Sequence, residues 1–312
     1  MPVAPELVKL LEVINTQPQM HQLPLEQLRM PRQRIGAGAF QPVGQVEDLA
    51  IPGPGGPIPL RLYQPEDAAR ELPLVLVFHG GGFVFGGIDG YYDHVCRVFC
   101  ADARCRVISV GYRLAPENKF PAATDDGYAT LVWAVAHASE LRIDLNQVFV
   151  AGGSAGANLA TASALRARDQ GGPGLRGQLL FYPIVDFHTP ATASALAYAK
   201  GYYLTRADVI WFWEQYLRDE TDRENPYALP LRAASLAGLP PALIITAEYD
   251  PLRDEGEHFA RRLSAAGVPV QLSRYDGMIH GFMAFPTPKA DQALQDGVSW
   301  LRSLTTHENS RP

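Results

Sequence analysis

Short runs of apolar residues, each bounded by turn-forming residues, recur along the whole chain. Eight of these runs predict strands: QVEDLAIPG, IPLRLYQP, PLVLVFHGGG, CRVISVGYR, QVFVAGG, GQLLFYP, PALIITAEYD and PVQLSRYDG. Helical patterns alternate with most of the later runs, at residues 123–141, 155–169, 251–266 and 289–304. This alternation predicts an α/β fold with a mainly parallel eight-stranded sheet flanked by helices. No helical pattern separates the first two runs, which therefore predict an antiparallel pair at one edge of the sheet.

Two segments do not follow this alternation. Residues 1–42 combine one amphipathic helix with a stretch rich in proline and glutamine, and residues 186–225 form an insertion rich in aromatic residues. In the insertion, Thr205 and Asp208 have the spacing of a helix N-cap and its partner, which predicts a helix over TRADVIWFWEQYL. We interpret both segments as a helical cap over a pocket; the alternative is that the aromatic side chains only fill the core. The predicted division of the chain is cap at 1–42, core at 43–185, cap insertion at 186–225 and core at 226–312.

The composition is typical of a folded protein that binds neither nucleic acid nor membrane. Of the 312 residues, 47% are hydrophobic and 19% are charged, which allows a large core in one main domain. The formal net charge is -6 and lysine and arginine do not cluster, so nucleic acid is not expected as a partner. The longest apolar runs are far shorter than the roughly 20 residues of a membrane span. Because the N-terminus also lacks a basic leader before a long apolar run, we predict a cytoplasmic location.

The cysteines, Cys96, Cys100 and Cys105, are odd in number and close together. A chain of this size needs no disulfides to stabilise its core, so we predict reduced thiols. No CxxC pair and no histidine at ligand spacing accompanies them, so no metal site is expected, and no motif implies an organic cofactor.

The stretch VFVAGGSAGANLA places Ser154 at the centre of a G-x-S-x-G pattern, after a predicted strand and before a predicted helix. A strand-to-helix turn this tight leaves no room for side chains at the flanking positions, which explains the glycines. This pattern, residues 152–156, is named the serine elbow. It predicts a hydroxyl exposed above the sheet. The alternative is a phosphate-binding turn, but that requires the spacing G-x-x-x-x-G-K-[ST] or G-x-G-x-x-G, and neither occurs here.

A second glycine-rich segment, FHGGGFVFGG, follows another predicted strand. Its consecutive glycines allow the N–H groups of Gly81 and Gly82 to converge on one point, and the N–H of Ala155 would be the third donor. Such donors stabilise the negative charge that develops on a carbonyl oxygen under attack. Phenylalanines stand where a dinucleotide-binding loop needs glycine, so the remaining alternative is a flexible turn. Residues 79–86 are named the glycine loop.

A serine hydroxyl needs a base to become reactive, and the base needs an orienting acid. Asp250 follows the strand PALIITA and His280 follows the last predicted strand, so the chain order Ser, Asp, His is that of the α/β hydrolases. We therefore predict the catalytic triad Ser154, Asp250 and His280. The proline after Asp250 also gives this aspartate the pattern of a helix N-cap, and the two roles are compatible. The competing acids are Glu248, which we expect too close to the strand, and Asp254, which we expect inside the helix and turned outward.

With these motifs the chain resembles the hormone-sensitive-lipase-like esterases, also called bacterial family IV, on the α/β-hydrolase fold. The resemblance covers about residues 42–304 and rests on HGGGF, YRLAPENKFPAA, GGSAGANLA, EYDPLRDEG and HGF. It implies the same triad, the same three oxyanion donors and no cofactor. A homodimer is common in that family, and the sequence leaves the oligomeric state open. It implies a cap whose aromatic side chains line the acyl and alcohol pockets. The candidate substrate-binding residues are Phe83 in the glycine loop and Tyr202, Trp211 and Phe212 in the cap insertion. It also implies that four residues brace the glycine loop without reacting, namely His79, Tyr112, Arg113 and Glu117.

One residue departs from the family pattern, because Gly153 stands where the family usually has Asp or Thr before the serine. A glycine has no side chain that could bond the serine elbow to neighbouring loops. We therefore predict a lower catalytic rate or a lower thermal stability of the site.

The predicted function is that of a serine carboxylesterase acting on small-molecule esters with short to medium acyl chains. Two alternatives stay open. One is an amide-directed hydrolase of the arylformamidase or arylacetamide deacetylase type. The other is a non-catalytic receptor similar to the plant gibberellin receptor, which lacks the histidine present here as His280.

Overall fold

The computed structural model describes residues 2–30, 41–66, 68, 70–187 and 190–305. Within these ranges the strands are β1 (Gln45–Ile51), β2 (Ile58–Gln64), β3 (Leu72–Phe78), β4 (Arg106–Val110), β5 (Ile143–Gly153), β6 (Gly177–Phe181), β7 (Ala242–Tyr249) and β8 (Val270–Ile279). They form one sheet of eight strands in the order β1-β2-β4-β3-β5-β6-β7-β8. β2 pairs antiparallel with β1 and β4, and the other neighbouring strands are parallel. The predicted mainly parallel sheet with an antiparallel pair at one edge is confirmed.

The α-helices of these ranges cover both faces of the sheet. They are α1 (Pro5–Ile14), α2 (Leu25–Leu28), α3 (Tyr91–Asp102), α4 (Ala122–Ala136), α5 (Ala138–Leu141), α6 (Ala155–Asp169), α7 (Ala193–Ala197), α8 (Arg206–Tyr216), α9 (Arg253–Ala265) and α10 (Pro288–Thr305). Helices α4, α6 and α9 contribute to the hydrophobic cluster on one face, and α1, α3 and α10 contribute to the cluster on the other. None of the helices in the described ranges combines the length and the apolar character that crossing a bilayer requires.

Strand β3 shows why the central strands have continuous apolar sequences. Leu74, Leu76 and Phe78 belong to the cluster on one face of the sheet, and Val75 and Val77 belong to the cluster on the other. All five side chains are at most 1% exposed. Because helices cover both faces, both sets of alternating side chains are buried, and polar residues do not alternate with apolar ones.

Two predicted helices differ from the structure at their boundaries. The helix predicted at 123–141 is interrupted at His137, which ends α4 and begins α5, and whose Nδ1 lies 2.9 Å from the carbonyl oxygen of Trp133. The helix predicted at 251–266 begins only at Arg253. Its first residues form a turn instead, because the carboxylate of Asp250 accepts the N–H of Leu252.

The N-terminal segment contacts the aromatic insertion through α8. This helix has the predicted N-cap Thr205, whose hydroxyl accepts the N–H of Asp208 while the Asp208 carboxylate accepts the N–H of Thr205. The same buried carboxylate accepts the N–H of His21 at 2.9 Å and lies 2.8 Å from its Nδ1. The predicted helix is confirmed, and the division into cap and core stays a prediction. Parts of that division lie outside the described residues, at 1, 31–40, 67, 69, 188–189 and 306–312.

The cysteines are buried and free of disulfides, as predicted: Cys96, Cys100 and Cys105. Burial raises the pKa of all of these thiols, to about 12 for Cys100 and for Cys105. At neutral pH they therefore stay protonated and unreactive.

Candidate active site

The serine elbow joins β5 to α6 with Ser154 at its apex. Ser154 has a φ of 56°, in the left-handed region that non-glycine residues rarely adopt. A β-carbon built on Gly152 would lie 2.3 Å from the carbonyl carbon of Gly156, and one on Gly156 would lie 2.0 Å from the carbonyl oxygen of Phe78. These distances are far below any real contact, so both flanking positions require glycine. The tight turn leaves the serine partly exposed beyond the end of β5.

The structure brings Ser154, His280 and Asp250 together. The Ser154 Oγ lies 3.0 Å from Nε2 of His280, and Nδ1 of the same ring lies 2.7 Å from Oδ2 of Asp250. His280 directly follows β8 and Asp250 directly follows β7, so both come from the edge of the sheet where the serine elbow lies. His280 is 6% exposed and Asp250 is fully buried. A buried carboxylate this close to Nδ1 orients the imidazole with Nε2 towards the serine.

The structure also shows where the competing acids lie. The second carboxylate oxygen of Asp250 accepts the N–H of Leu252 at 2.8 Å, so Asp250 stabilises the turn before α9 and is not the N-cap itself. Glu248 accepts the N–H of Gly277 at 2.6 Å. Asp254 lies inside α9 as predicted, but its side chain is not turned outward, because it accepts the N–H of Ser194 in the insertion at 2.7 Å. Among the hydrogen bonds between described residues, the carboxylate that binds His280 is that of Asp250.

The glycine loop follows β3 and folds back on itself. The N–H groups of Val84 and Phe85 both donate to the carbonyl oxygen of Gly81, and a β-carbon on Gly81 would lie 2.0 Å from the Phe85 carbonyl oxygen. Gly81 and Gly82 have φ values of 125° and 59°. Among the described residues, no acceptor is hydrogen-bonded to the N–H of Gly81, Gly82 or Ala155. These donors are therefore available for an anion beside the serine.

His79 and Tyr112 hold the start of the glycine loop. Their rings are stacked with centroids 4.1 Å apart, and the Tyr112 hydroxyl donates to the His79 carbonyl oxygen at 2.7 Å. The His79 Nδ1 lies 2.9 Å from the carbonyl oxygen of Gly80. Burial lowers the pKa of His79 to about 4, so its ring is neutral at pH 7 and serves as a fixed hydrogen-bonding group.

Glu117 reaches the glycine loop through the N-terminal segment. It forms an ion pair with Arg29, with both oxygens 2.7 Å from guanidinium nitrogens, and the Arg29 Nε donates to the Val84 carbonyl oxygen at 3.0 Å. The pairing with Arg29 lowers the pKa of Glu117 to about 2. Arg113 does not take part, contrary to the implied bracing role, because its side chain binds Asp126 instead.

The aromatic residues expected in the substrate pocket lie in different surroundings. The ring of Phe212 lies against the glycine loop, since a β-carbon on Gly82 would be 2.3 Å from it. Trp211 is half-buried and contacts Phe212 edge-on. Phe83, in contrast, is fully buried and stacks on an aromatic ring of α8 at 3.8 Å, so it supports the loop from within the core. Tyr202 stacks on Tyr249, the residue before Asp250.

Sequence reasoning missed two tyrosines beside the site. The ring of Tyr182 lies edge-on to the His280 imidazole, with centroids 4.9 Å apart. Tyr182 follows β6, so the same rule that found Asp250 and His280 at strand ends could have found it. The Tyr92 hydroxyl donates to the carbonyl oxygen of Gly153 in the serine elbow. Tyr92 lies on α3, and no motif in the sequence marks it.

Proteins similar to this chain identify its family. A family model described as the alpha/beta hydrolase fold matches residues 75–284. The carboxylic ester hydrolase LipN of Mycobacterium tuberculosis is 47% identical over 244 residues, which cover 76% of this chain and 64% of LipN. Esterase LipI of the same organism is 42% identical over 282 residues, covering 87% of each chain.

Among solved structures, a hyperthermophilic esterase from the archaeon Pyrobaculum calidifontis is similar, with a TM-score of 0.90 and 39% identity. The match covers 98% of this chain and 99% of that one. The predicted α/β-hydrolase fold is thereby confirmed. The chain belongs to the hormone-sensitive-lipase-like family of carboxylic ester hydrolases.

Proposed function

We propose that this protein is a serine carboxylesterase that hydrolyses small-molecule esters with short to medium acyl chains through an acyl-enzyme intermediate. The observation that carries the proposal is the continuous chain of contacts from Ser154 Oγ through His280 to the buried Asp250. Ester hydrolysis also agrees with the family to which the chain belongs. The cytoplasmic location stays a prediction from the sequence, and the oligomeric state stays open.

In the first half of the reaction, His280 Nε2 takes the Ser154 proton while Oγ attacks the ester carbonyl carbon. Asp250 accepts a hydrogen bond from Nδ1, which fixes the tautomer that leaves Nε2 free and stabilises the imidazolium that forms. The carbonyl oxygen becomes an oxyanion, and the N–H groups of the glycine loop and of Ala155 stabilise it. Each such donor contributes about 3 kcal/mol to lowering the barrier. The tetrahedral intermediate collapses when His280 gives its proton to the departing alcohol.

In the second half, a water molecule replaces the alcohol. His280 removes a proton from this water as its oxygen attacks the acyl carbon on Ser154. The same N–H groups stabilise the second oxyanion. Collapse releases the carboxylic acid and returns the proton from His280 to Ser154, so the enzyme is regenerated without a cofactor.

We infer the preference for short and medium acyl chains from the aromatic side chains that pack closely against the glycine loop. Phe212 covers Gly82 and is only 4% exposed, and Trp213 and Tyr216 on the same face of α8 are fully buried. Phe83 stacks beneath them. We expect an acyl chain that extends along this face of α8 to displace more of these packed rings the longer it is.

A series of 4-nitrophenyl esters from acetate to palmitate tests this proposal. We expect the highest kcat/KM at the acetate to octanoate end and the loss of turnover in Ser154→Ala, with the variant still folded by circular dichroism. Near-normal turnover by Ser154→Ala would refute the assigned nucleophile. A maximum at palmitate would instead indicate a lipase.

The two alternative functions have separate outcomes. Faster cleavage of an aryl amide than of the ester with the same acyl group would indicate an amide-directed hydrolase with the same triad. Tight binding of a small molecule without turnover of any ester or amide would indicate a receptor.

A further inference from the structure

Gly153, the last residue of β5, lies beside two tyrosine side chains. A β-carbon built on Gly153 would lie 2.7 Å from the hydroxyl of Tyr92 and 3.2 Å from Cε2 of Tyr182. Real β-carbons do not approach other atoms to less than 3.0 Å, so a larger residue at this position requires Tyr92 to move. The phenol therefore occupies the space that a side chain before Ser154 would take.

The hydroxyl of Tyr92 lies where the glycine loop meets the serine elbow. It donates to the carbonyl oxygen of Gly153 at 3.4 Å. A β-carbon built on Gly80 would lie 2.9 Å from the same hydroxyl, 2.8 Å from the Gly153 carbonyl oxygen and 3.5 Å from the β-carbon of Ser154. One phenol thus touches both segments at the point where they approach the reactive serine.

The first turn of α3 holds Tyr92 in place. Asp93 accepts hydrogen bonds from the Tyr63 hydroxyl at 2.8 Å and from the Arg97 Nε at 2.7 Å, which ties this turn to β2. The ring of Tyr92 also lies edge-on to His79 at the start of the glycine loop. Burial raises the pKa of the Tyr92 phenol, so the hydroxyl remains a donor throughout the pH range of an esterase assay.

We propose that Tyr92 is the positioning residue that holds the glycine loop in register with the serine elbow, in place of the side chain that Gly153 lacks. This role rests on the esterase function proposed above, because the register sets where the oxyanion donors lie relative to Ser154 Oγ. Oxyanion donors act only at about 2.7–3.1 Å from the developing charge, so a small displacement lowers kcat without weakening substrate binding. Gly153 itself has no side chain to make this connection, so in this proposal the hydroxyl of Tyr92 makes it from α3.

Tyr92→Phe removes the hydroxyl and keeps the ring. We expect kcat for 4-nitrophenyl butyrate to fall about 3- to 10-fold, the effect of one net hydrogen bond, with KM within about twofold of wild type. Tyr227→Phe is the matched control. Its hydroxyl donates to Asp169 at the far end of α6, about 20 Å along the helix from Ser154, and we expect unchanged kcat.

A double-mutant cycle tests the contact between Tyr92 and Gly153. Gly153→Ala places a β-carbon 2.7 Å from the wild-type hydroxyl, so we expect kcat/KM to fall about 10-fold or more. In the Tyr92→Phe background that oxygen is gone, and the same substitution should cost about threefold or less. An equal cost in both backgrounds would contradict the contact.

The outcomes separate this role from the proposed function. In an active wild type, Tyr92→Phe with unchanged kcat overturns the positioning role, and a lowered melting temperature with unchanged kcat assigns the hydroxyl to stability alone. A wild type inactive on every ester would overturn the proposed function and with it the positioning role. The melting temperatures of the wild type, the two single variants and the double variant would then still show whether residues 92 and 153 interact.

Discussion

Asp250→Asn replaces one oxygen of a fully buried carboxylate by an NH2 group. In the wild type, Oδ2 lies 2.7 Å from His280 Nδ1, and Oδ1 accepts the N–H of Leu252 at 2.8 Å. The single carbonyl oxygen of asparagine can keep only one of these partners. Because the Leu252 N–H is a fixed donor, we expect the carbonyl oxygen to accept from it and the NH2 group to face His280.

An NH2 group facing Nδ1 reverses the hydrogen bond within the triad. Nδ1 must then accept, and the ring hydrogen moves to Nε2, which lies 3.0 Å from Ser154 Oγ. An Nε2 that carries a hydrogen cannot take the serine proton. We therefore expect kcat to fall about 10⁴-fold, the size of the same exchange in a serine protease triad. At 1.36 kcal/mol for each tenfold change, this is about 5.4 kcal/mol of barrier.

Steady-state hydrolysis of 4-nitrophenyl butyrate measures the loss, and thermal melting checks that the variant folds. Asp254→Asn is the matched control, because that carboxylate lies four residues away and binds the N–H of Ser194 instead of the imidazole. We expect it to retain near-normal kcat. An Asp250→Asn variant within tenfold of wild type would refute the tautomer argument, and a larger loss in Asp254→Asn would assign the acid to Asp254.

Two further predictions concern stability. Gly156→Ala places a β-carbon 2.0 Å from the Phe78 carbonyl oxygen. We expect the free energy of unfolding, measured by denaturant titration, to fall by about 3 kcal/mol, which is at the upper end of the cost of overpacking a core. An unchanged value would contradict the close packing of the serine elbow. Burial lowers the pKa of His79 from 6.5 to about 4, so the unfolded chain binds more protons between these pH values. The neutral, buried His79 therefore contributes about 3 kcal/mol to the free energy of unfolding at pH values above 6.5. This part of the stability is lost as the pH falls from 6.5 to about 4. His79→Gln should flatten that part of the stability curve, and an unchanged curve would show that His79 is not its source.

The core and the serine elbow were predictable because short sequence patterns mark them. Strand β3 is apolar throughout because both of its faces are buried, and the turn around Ser154 is so tight that its own backbone excludes a side chain at Gly152. Thr205 caps the N-terminus of helix α8, as the spacing to Asp208 predicted. In each case the predictive pattern lies within a few consecutive residues, although packing against distant segments, such as Phe78 against Gly156, enforces it.

The surroundings of the site were harder to predict because they depend on contacts between distant residues. Phe83 was expected in the substrate pocket, but it stacks on Tyr216 in the core. Arg113 was expected at the glycine loop, but it binds Asp126 on α4. Tyr92 is 61 residues from the glycine whose carbonyl it contacts, so neither spacing nor composition indicates the pair.

The central claim is that Ser154 is the residue that attacks the ester. Titration with a fluorophosphonate, followed in parallel by ester hydrolysis and by peptide mass spectrometry, tests it most directly. We expect one adduct per chain on the peptide that contains Ser154, with activity lost in proportion to labelling. Full labelling of Ser154 with hydrolysis retained, or activity lost through an adduct on another residue, would contradict the claim.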